Sequence, residues 1–471
     1  MQDQCGCCSG LGRRDFLAAM SAALGGLAFT PLGSMAQGGG VDGGVRSKEP
    51  AQAWAAVIGG ADDAYGAQAA IVRECARSAG VTLQLEPSLV NSAGAARALA
   101  ARIVEARPDG VALVVTDAAG QLFADTVVEA VEAVRAPMVP VVLHRTGGAF
   151  PDDAYQRPGL FAVDADRAAE DLTFGFRMIH TRSQLRQTVL LGFDNKPASE
   201  ALLPFFGVRL RMIPFSRYAQ DFEEMPVSAE ARAWIAGITD HAFERRGITD
   251  QALESAARAH FALKKILAEE QADGLSMNCL RTGFLKPCMS FASFNGDLIP
   301  AACEMDIPAL CTLLVGRHLI GRPGFMHNSA FETEKNHYYA SHCTCTPKIR
   351  GADKPELPFM IRRFMHTNEG SCAIQTFWEK DDPVTMVRAY PGSPAQMDVY
   401  AGQVVLSYPM PPAGGCTTNV EVKLTDRTDA MMVQGHHNVL FYGDHARHFR
   451  TFARFFRLQM VDSGYRGPWP A

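Results

Sequence analysis

The sequence predicts an α/β protein in which two doubly wound α/β domains are followed by a C-terminal antiparallel, β-rich, barrel-like domain. The chain has 471 residues, of which 47% are hydrophobic and 20% charged; this is a globular composition, and the length predicts two to four domains. Up to about residue 340, apolar strand-like runs alternate with helical segments, which favours parallel sheets covered by helices. Beyond that point, short β-type runs broken by Pro, Gly and Asp predict antiparallel pairing.

The first segment, residues 1–36, has the pattern of a bacterial twin-arginine signal peptide. Arg13–Arg14 precede a weakly apolar, Ala/Gly-rich stretch, and SMA at 34–36 fits the small-x-small cleavage pattern. The alternative is a short helix with two surface arginines. The Gly-rich residues 37–50 predict a flexible linker. We therefore expect export by the twin-arginine machinery and a periplasmic or secreted protein.

The first α/β domain is predicted over residues 51–150. Its strands are short apolar runs, and its helices have apolar residues at helical spacing. In order, the elements are a strand at 53–60, a helix at 64–80, a strand at 81–87, a helix at 95–110, a strand at 111–117, a helix at 124–137 and a strand at 138–144. The turn after the first strand, GGADDAYG, is not the GxGxxG of a dinucleotide site.

The second α/β domain is predicted over residues 151–340 and the C-terminal β-rich domain over 341–471. The second domain has predicted strands at 188–193, 208–215 and 275–280 and a long amphipathic helix at 249–274, with Thr249 or Asp250 as its N-cap. The C-terminal domain has predicted strands at 372–379, 383–390, 397–408 and 419–426 and a closing helix at 445–458.

Charge and cysteine content narrow the classes of function. The net charge is −5 and the pI is about 6.2, so nucleic acid is not an expected partner. Three of the twelve cysteines precede the twin arginines, and the odd number left does not imply a disulfide framework. Cys343 and Cys345, in the run HCTC, are poorly spaced for a structural zinc site.

Several stretches are similar to a known enzyme family. The run ADGLSMNCL followed by PCMSFASFNGDLIPAACEMDIPALCTLLVGRHLIGRPGFM, together with PVTMVR (383–388) and VQGHHNVLFYGD (433–444), resembles the L-fucose/L-arabinose isomerase family. The resemblance is strongest over roughly 270–330 and 380–455, and the N-terminal unit agrees in layout only. It implies an enzyme of carbohydrate metabolism, an intramolecular oxidoreductase that interconverts an aldose and a ketose through an enediol. It implies that this enzyme is a homo-oligomer. It also implies a divalent metal cofactor, typically Mn²⁺, which binds the sugar.

The resemblance also implies the site residues. The motif glutamate falls on Glu304 and its nearby acid on Asp306, which are the expected catalytic pair, and the C-terminal histidine falls on His437. The implied metal ligands are Glu304, Asn328 and His437. Asn328 stands where the family has a metal-binding aspartate, 24 residues after the glutamate, and an amide cannot serve as a base. Three residues near Asn328 in the sequence are candidates to replace that acid: His327, Glu332 and Glu334.

Elementary chemistry is consistent with a metal among these residues. Hard divalent ions prefer oxygen ligands, and imidazole is acceptable to manganese. A cation also offsets the cost of burying carboxylates in the apolar run AACEMDIPAL. The alternative is that Glu304 and Asp306 are an acid pair stabilised by the N-terminus of a helix.

Three further residues are expected to bind substrate: His436, His342 and Arg388. His436 adjoins His437, and adjacent side chains on a strand point to opposite faces, so at most one of the two should reach a given site. For His342 the alternative is a packed residue, and for Arg388 a structural or interface arginine.

Three functions remain open. The first is the metal-dependent sugar isomerase. The second is another enolate reaction on a sugar or sugar acid, by an epimerase or lyase, which needs a metal and only one base. The third is an exported sugar-binding protein without catalysis. An intact acid near Asn328 favours the isomerase, whereas an apolar or blocked site favours the binding protein.

Overall fold

The computed structural model describes residues 30–31, 48–60, 65–133, 141–146, 150, 152–163, 168–282, 286–363, 371–409 and 416–460. These residues form two compact units. The smaller unit takes the described residues of 48–186 and 450–459, and the larger unit takes those of 187–449 together with 30–31 and 460. Within these ranges, no helix is both long and apolar enough to cross a membrane. The predicted signal peptide and linker lie outside the described residues, apart from 30–31 and 48–50.

Both units contain strands and helices. The strands are β1 (Thr30–Pro31), β2 (Ala51–Ile58), β3 (Val81–Leu85), β4 (Gly110–Val115), β5 (Val141–Arg145), β6 (Leu160–Val163), β7 (Val189–Asp194), β8 (Ser199–Leu202), β9 (Arg209–Pro214), β10 (Glu244–Arg246), β11 (Gly274–Met277), β12 (Ala301–Cys303), β13 (Gly324–Glu332), β14 (His337–His342), β15 (Phe359–Arg363), β16 (Cys372–Thr376), β17 (Pro383–Tyr390), β18 (Gln396–Ser407), β19 (Thr418–Leu424), β20 (His437–Tyr442) and β21 (Gln459–Met460). The helices are α1 (Tyr65–Ser78), α2 (Ala93–Ala106), α3 (Ala118–Ala133), α4 (Asp152–Gln156), α5 (Ala168–Arg186), α6 (Phe215–Glu224), α7 (Ala229–Thr239), α8 (Asp250–Glu269), α9 (Cys288–Gly296), α10 (Ile307–Leu319) and α11 (Ala446–Phe455). Short 3-10 helices lie at Cys279–Arg281, Pro347–Arg350 and Ala430–Met432.

The smaller unit is built on a five-stranded parallel sheet in the order β3-β2-β4-β5-β6. Helix α1 contacts α5, and α2 contacts α3. The unit continues to Arg186, past the predicted boundary near residue 150, because α5 packs on β2 and β5 of the same sheet. Gly175 permits this close packing, since a β-carbon there would lie 2.8 Å from Val142.

The larger unit contains a six-stranded sheet in the order β1-β8-β9-β7-β11-β12. Strands β9, β7, β11 and β12 run parallel, and β8 and β1 pair antiparallel at one edge. Strands β10, β15 and β16 form a separate small sheet. The long helix α8 begins as predicted, with the Thr249 hydroxyl accepting from the backbone N–H of Ala252 at 3.2 Å.

Six strands of the larger unit close into an antiparallel barrel, in the order β17-β20-β13-β14-β19-β18 with β18 pairing back to β17. Buried hydrophobic residues of these strands pack into one cluster, which includes Phe325, Tyr338 and Tyr400. The mixed α/β class and the C-terminal barrel are therefore confirmed. The barrel begins at Gly324, before the predicted start at 341, because its first hairpin lies in the segment 324–342.

Candidate metal centre

A two-residue turn positions the carboxylate of Glu304. Strand β12 ends at Cys303 and α10 begins at Ile307, and between them Glu304 and Met305 have φ of 60° and 57°. This left-handed conformation costs a residue that carries a β-carbon about 1–2 kcal/mol. Glu304 is also buried, with only 8% of its surface exposed. The backbone thus fixes the direction of a buried carboxylate, and strain of this kind clusters at functional sites.

Two buried histidines converge on that carboxylate. Nε2 of His342 lies 3.6 Å from Oε1 of Glu304, and Nε2 of His437 lies 3.7 Å from Oε2. Two atoms that each lie about 2.0–2.6 Å from one ion are roughly 3–4 Å apart, so these separations match ligands of a shared ion. The three side chains come from the β12–α10 turn, the end of β14 and the start of β20. They form a buried group that could hold a metal ion.

Asp306 orients the ring of His437 from the opposite side. Oδ2 of Asp306 accepts from Nδ1 of His437 at 2.8 Å, and this contact directs Nε2 toward Glu304. That Nε2 atom is buried and has no hydrogen-bond partner. An unpaired buried nitrogen costs free energy, which a bound cation removes. A carboxylate behind an imidazole is the common support of a metal-binding histidine.

The second oxygen of Asp306 starts helix α10. Oδ1 accepts from the backbone N–H of Ala309 at 2.7 Å, and Pro308 occupies the first turn. The interpretation of an acid at a helix N-terminus is therefore correct for Asp306, whereas Glu304 lies in the turn before the cap. Nη1 of Arg388 is 3.4 Å from Oδ2 of Asp306 and also donates to the backbone carbonyl of His437. Arg388 thus contacts the groups behind the site.

His342 has a comparable arrangement. Its Nε2 faces Glu304, while its Nδ1 lies 3.5 Å from the Sγ atom of Cys343. The ring is 2% exposed at the end of β14. Both histidines therefore present Nε2 to Glu304 and Nδ1 to a supporting side chain.

Electrostatics keep the Glu304 carboxylate charged. Burial alone would raise its pKa, but hydrogen bonding to His342 and the charge interaction with His437 lower the pKa of Glu304 to about 2. Burial alone would lower the pKa of His342, and its contact with Glu304 outweighs this and raises the pKa to about 10. For Asp306, burial is likewise outweighed by Arg388 and His437, which hold its pKa well below the usual range.

Asn328 lies directly opposite His437. The two residues are cross-strand partners in β13 and β20, so their side chains project from the same face of the sheet. Oδ1 of Asn328 is buried without a hydrogen-bond partner. An unpaired amide oxygen beside an unpaired imidazole nitrogen is an arrangement that a cation would satisfy.

The three candidates for the missing acid lie elsewhere. His327 points into the barrel, where its Nδ1 contacts the Phe325 carbonyl at 3.0 Å and its Nε2 the Tyr338 hydroxyl at 2.8 Å. Glu332 is four residues farther along β13, which is about 13 Å at roughly 3.3 Å per residue. Glu334 lies in the turn beyond it. His342 is the residue that joins Glu304 and His437 instead.

The adjacent histidines His436 and His437 differ in their relation to Glu304. Only His437 belongs to the group around Glu304. His436 precedes the strand, with its ring centroid 4.4 Å from that of His437, and burial lowers the pKa of His436 to about 4. It therefore flanks the centre as a neutral ring at physiological pH.

The sequence predicts His342 as a substrate-binding residue and does not predict its contact with Glu304. No local pattern signals this contact, because it depends on how β14 enters the barrel next to the β12–α10 turn. Comparison with known proteins adds no further constraint. No protein-family model matches the chain, and none of the curated proteins compared with it matches.

Proposed function

We propose that this protein is a metal-dependent sugar isomerase that interconverts an aldose and a ketose through an enediol. The observation that carries the proposal is the convergence of Glu304, His342 and His437, with Nε2 of His437 unpaired. We propose Mn²⁺ as the cofactor, because a carboxylate with imidazoles suits that ion. When bound, it would polarise neighbouring oxygens of the sugar. The resemblance over 270–330 and 380–455 supports the substrate class.

Glu304 is the proposed general base, which moves a proton between C1 and C2 of the open-chain sugar. Its lowered pKa keeps the carboxylate ionised at neutral pH. Asp306, expected from the sequence to act in catalysis, is proposed instead as a positioning residue. Its two oxygens already accept from Ala309 and His437. Arg388 is assigned the same supporting role, while His436 remains a candidate for substrate binding.

Asn328 favours a second candidate function, the enolate chemistry of an epimerase or lyase acting on a sugar or sugar acid. These reactions need one base, and neither Glu332 nor Glu334 stands close along the chain to supply a second. A non-catalytic binding protein is less well supported. Its expected site is apolar or blocked, whereas Glu304 is a charged, buried carboxylate beside an unpaired nitrogen.

One experiment separates these functions. The purified full-length protein is incubated with Mn²⁺ and a panel of aldoses and sugar acids in D₂O, and products are followed by NMR. An isomerase yields ketose with deuterium at the exchanged carbon. An epimerase exchanges deuterium at C2 without ketose, a lyase releases an unsaturated product, and a binding protein shows no exchange. Glu304→Gln is the control, and deuterium exchange that survives in it would remove Glu304 as the base.

The proposal also covers export, assembly and topology. On the basis of the sequence, we propose that the protein is exported by the twin-arginine route and forms a homo-oligomer. We also propose that both α/β units are doubly wound. A fusion of residues 1–45 to a reporter should reach the periplasm. The double change Arg13→Lys with Arg14→Lys should retain it in the cytoplasm, and unaffected export would exclude this route.

A further inference from the structure

Five cysteines form a cluster beside the candidate metal centre. All nine described cysteines are buried, and none of them forms a disulfide. The thiol of Cys303 contacts that of Cys279, and the thiol of Cys343 contacts three others. The members of the cluster are Cys279, Cys288, Cys303, Cys343 and Cys416. They come from separate segments, so tertiary structure rather than a local motif assembles them.

Part of this cluster has the geometry of a metal site. Ligand atoms of Cys303, His342 and Cys343 all lie within 4.8 Å of one another, and all three residues are buried. The Cys343 Sγ atom is 3.5 Å from Nδ1 of His342. A tetrahedral zinc ion with bonds of about 2.3 Å to sulfur and about 2.1 Å to nitrogen places these atoms about 3.6 Å apart. The observed separation matches that geometry.

We propose that Cys303, Cys343 and Nδ1 of His342 form a second metal site, which binds a thiophilic divalent cation of the zinc class. Thiolates select such ions over the hard cations that carboxylates prefer. Cys279 and Cys416 adjoin the site and can supply the fourth ligand. Binding replaces the protons on the two thiols and on Nδ1 of His342 by two sulfur–metal bonds and one nitrogen–metal bond, and it releases those protons to solvent.

His342 links the two sites. A neutral imidazole has one lone pair, so the ring can bind a cation through Nδ1 or through Nε2 but not through both. A cation bound at Nδ1 therefore leaves a proton on Nε2, so His342 cannot also be a metal ligand beside Glu304, and this should weaken binding at the proposed Mn²⁺ site. By linkage, Mn²⁺ weakens zinc-class binding by the same factor. This consequence rests on the proposed function, whereas the thiol site itself does not.

Cobalt gives a direct spectroscopic test. Full-length protein kept reduced is titrated with Co²⁺, which reports thiolate ligation by charge-transfer absorption in the near ultraviolet. We expect a band that saturates at one ion per chain and disappears when Zn²⁺ is added. Absence of the band in the wild-type protein at saturating Co²⁺ overturns the proposal without any variant.

Variants assign the band to particular thiols. Cys303→Ser and Cys343→Ser should each abolish it. Cys345→Ser is the matched control, because Cys345 is also buried but its Sγ contacts the Thr346 carbonyl rather than the cluster. Its band should be unchanged, and a loss there equal to that in Cys343→Ser would overturn the site.

A further variant separates the two sites. Glu304→Gln should keep the thiolate band, and its loss would overturn the proposal by assigning the cation to the Glu304 centre. A band that persists in protein without deuterium exchange in any sugar supports the thiol site and counts only against the proposed isomerase.

Discussion

Replacing Asp306 by asparagine should weaken metal binding while leaving α10 capped. Asparagine caps a helix as well as aspartate does, so its Oδ1 can still accept from the Ala309 N–H. The amide NH₂ then occupies the position of Oδ2, 2.8 Å from Nδ1 of His437. Two donors cannot face each other, so the ring proton moves to Nε2. The lone pair that faced Glu304 is lost.

Asp306→Asn should lower both the affinity for the metal and the free energy of unfolding, by different amounts. Loss of a carboxylate that supports a metal-binding histidine lowers metal affinity about 10- to 100-fold, which is about 1.4–2.7 kcal/mol. In this variant the side chain of Arg388, which is 9% exposed, loses its ion pair with the Asp306 carboxylate and keeps its hydrogen bond to the backbone carbonyl of His437. Removing one partner of a buried ion pair costs roughly 3–5 kcal/mol in the free energy of unfolding. We therefore expect both effects in the single variant.

A second variant separates the two effects. Asp306→Asn combined with Arg388→Met removes both charges, and such neutral replacements of buried pairs are often tolerated. Mn²⁺ binding is measured by titration calorimetry well below the unfolding temperature, and stability by denaturant unfolding. We expect the double variant to regain stability and to keep the weak Mn²⁺ affinity. Affinity that returns with stability, or wild-type affinity in Asp306→Asn alone, would refute the orienting role of Asp306.

Three further substitutions test the centre and the packing of α10. Glu304→Gln should lower turnover by about 10² to 10⁴ with an unchanged circular dichroism spectrum, because a base is lost; a near-normal rate would remove Glu304 from the mechanism. Asn328→Asp should tighten Mn²⁺ binding in calorimetry, because a charged oxygen replaces an amide beside His437. Unchanged affinity would show that this side chain does not touch the ion. Gly316→Ala should destabilise the fold by about 1–3 kcal/mol in denaturant unfolding, because the added β-carbon would lie 2.2 Å from Cε1 of Phe441. Wild-type stability would contradict that packing.

Elements with strong local signals could be predicted from the sequence. Strand β17 spans 383–390 as the β-type run predicted, and Thr249 caps α8. Helix α5 was not predicted, because Gly175 and the polar residues scattered among its apolar ones obscure the helical pattern. Its glycine is explained by close packing on Val142, a tertiary contact that no local pattern reveals.

The contacts within the candidate metal centre also differ in how far the sequence predicts them. The resemblance singled out Glu304 and His437, which the structure brings to 3.7 Å of one another, although their roles remain predictions. The contacts of His342 with Glu304, and of Cys303 with Cys343, join segments that are remote in sequence. Tertiary structure decides these contacts. The length of β13 separates Glu332 from the site, although sequence distance alone left that residue in reach.

The left-handed turn at Glu304 and Met305 affects how this protein would respond to selection for thermostability. Glycine or asparagine adopts that backbone conformation readily, so either at position 304 would relieve roughly 1–2 kcal/mol of backbone strain. Either would also eliminate the carboxylate that pairs with His342 and His437, and breaking a buried pair costs roughly 3–5 kcal/mol. A library screened only for heat resistance should therefore retain Glu304, although the backbone conformation at this position favours other residues. Engineering for stability has to seek its gains elsewhere in the fold.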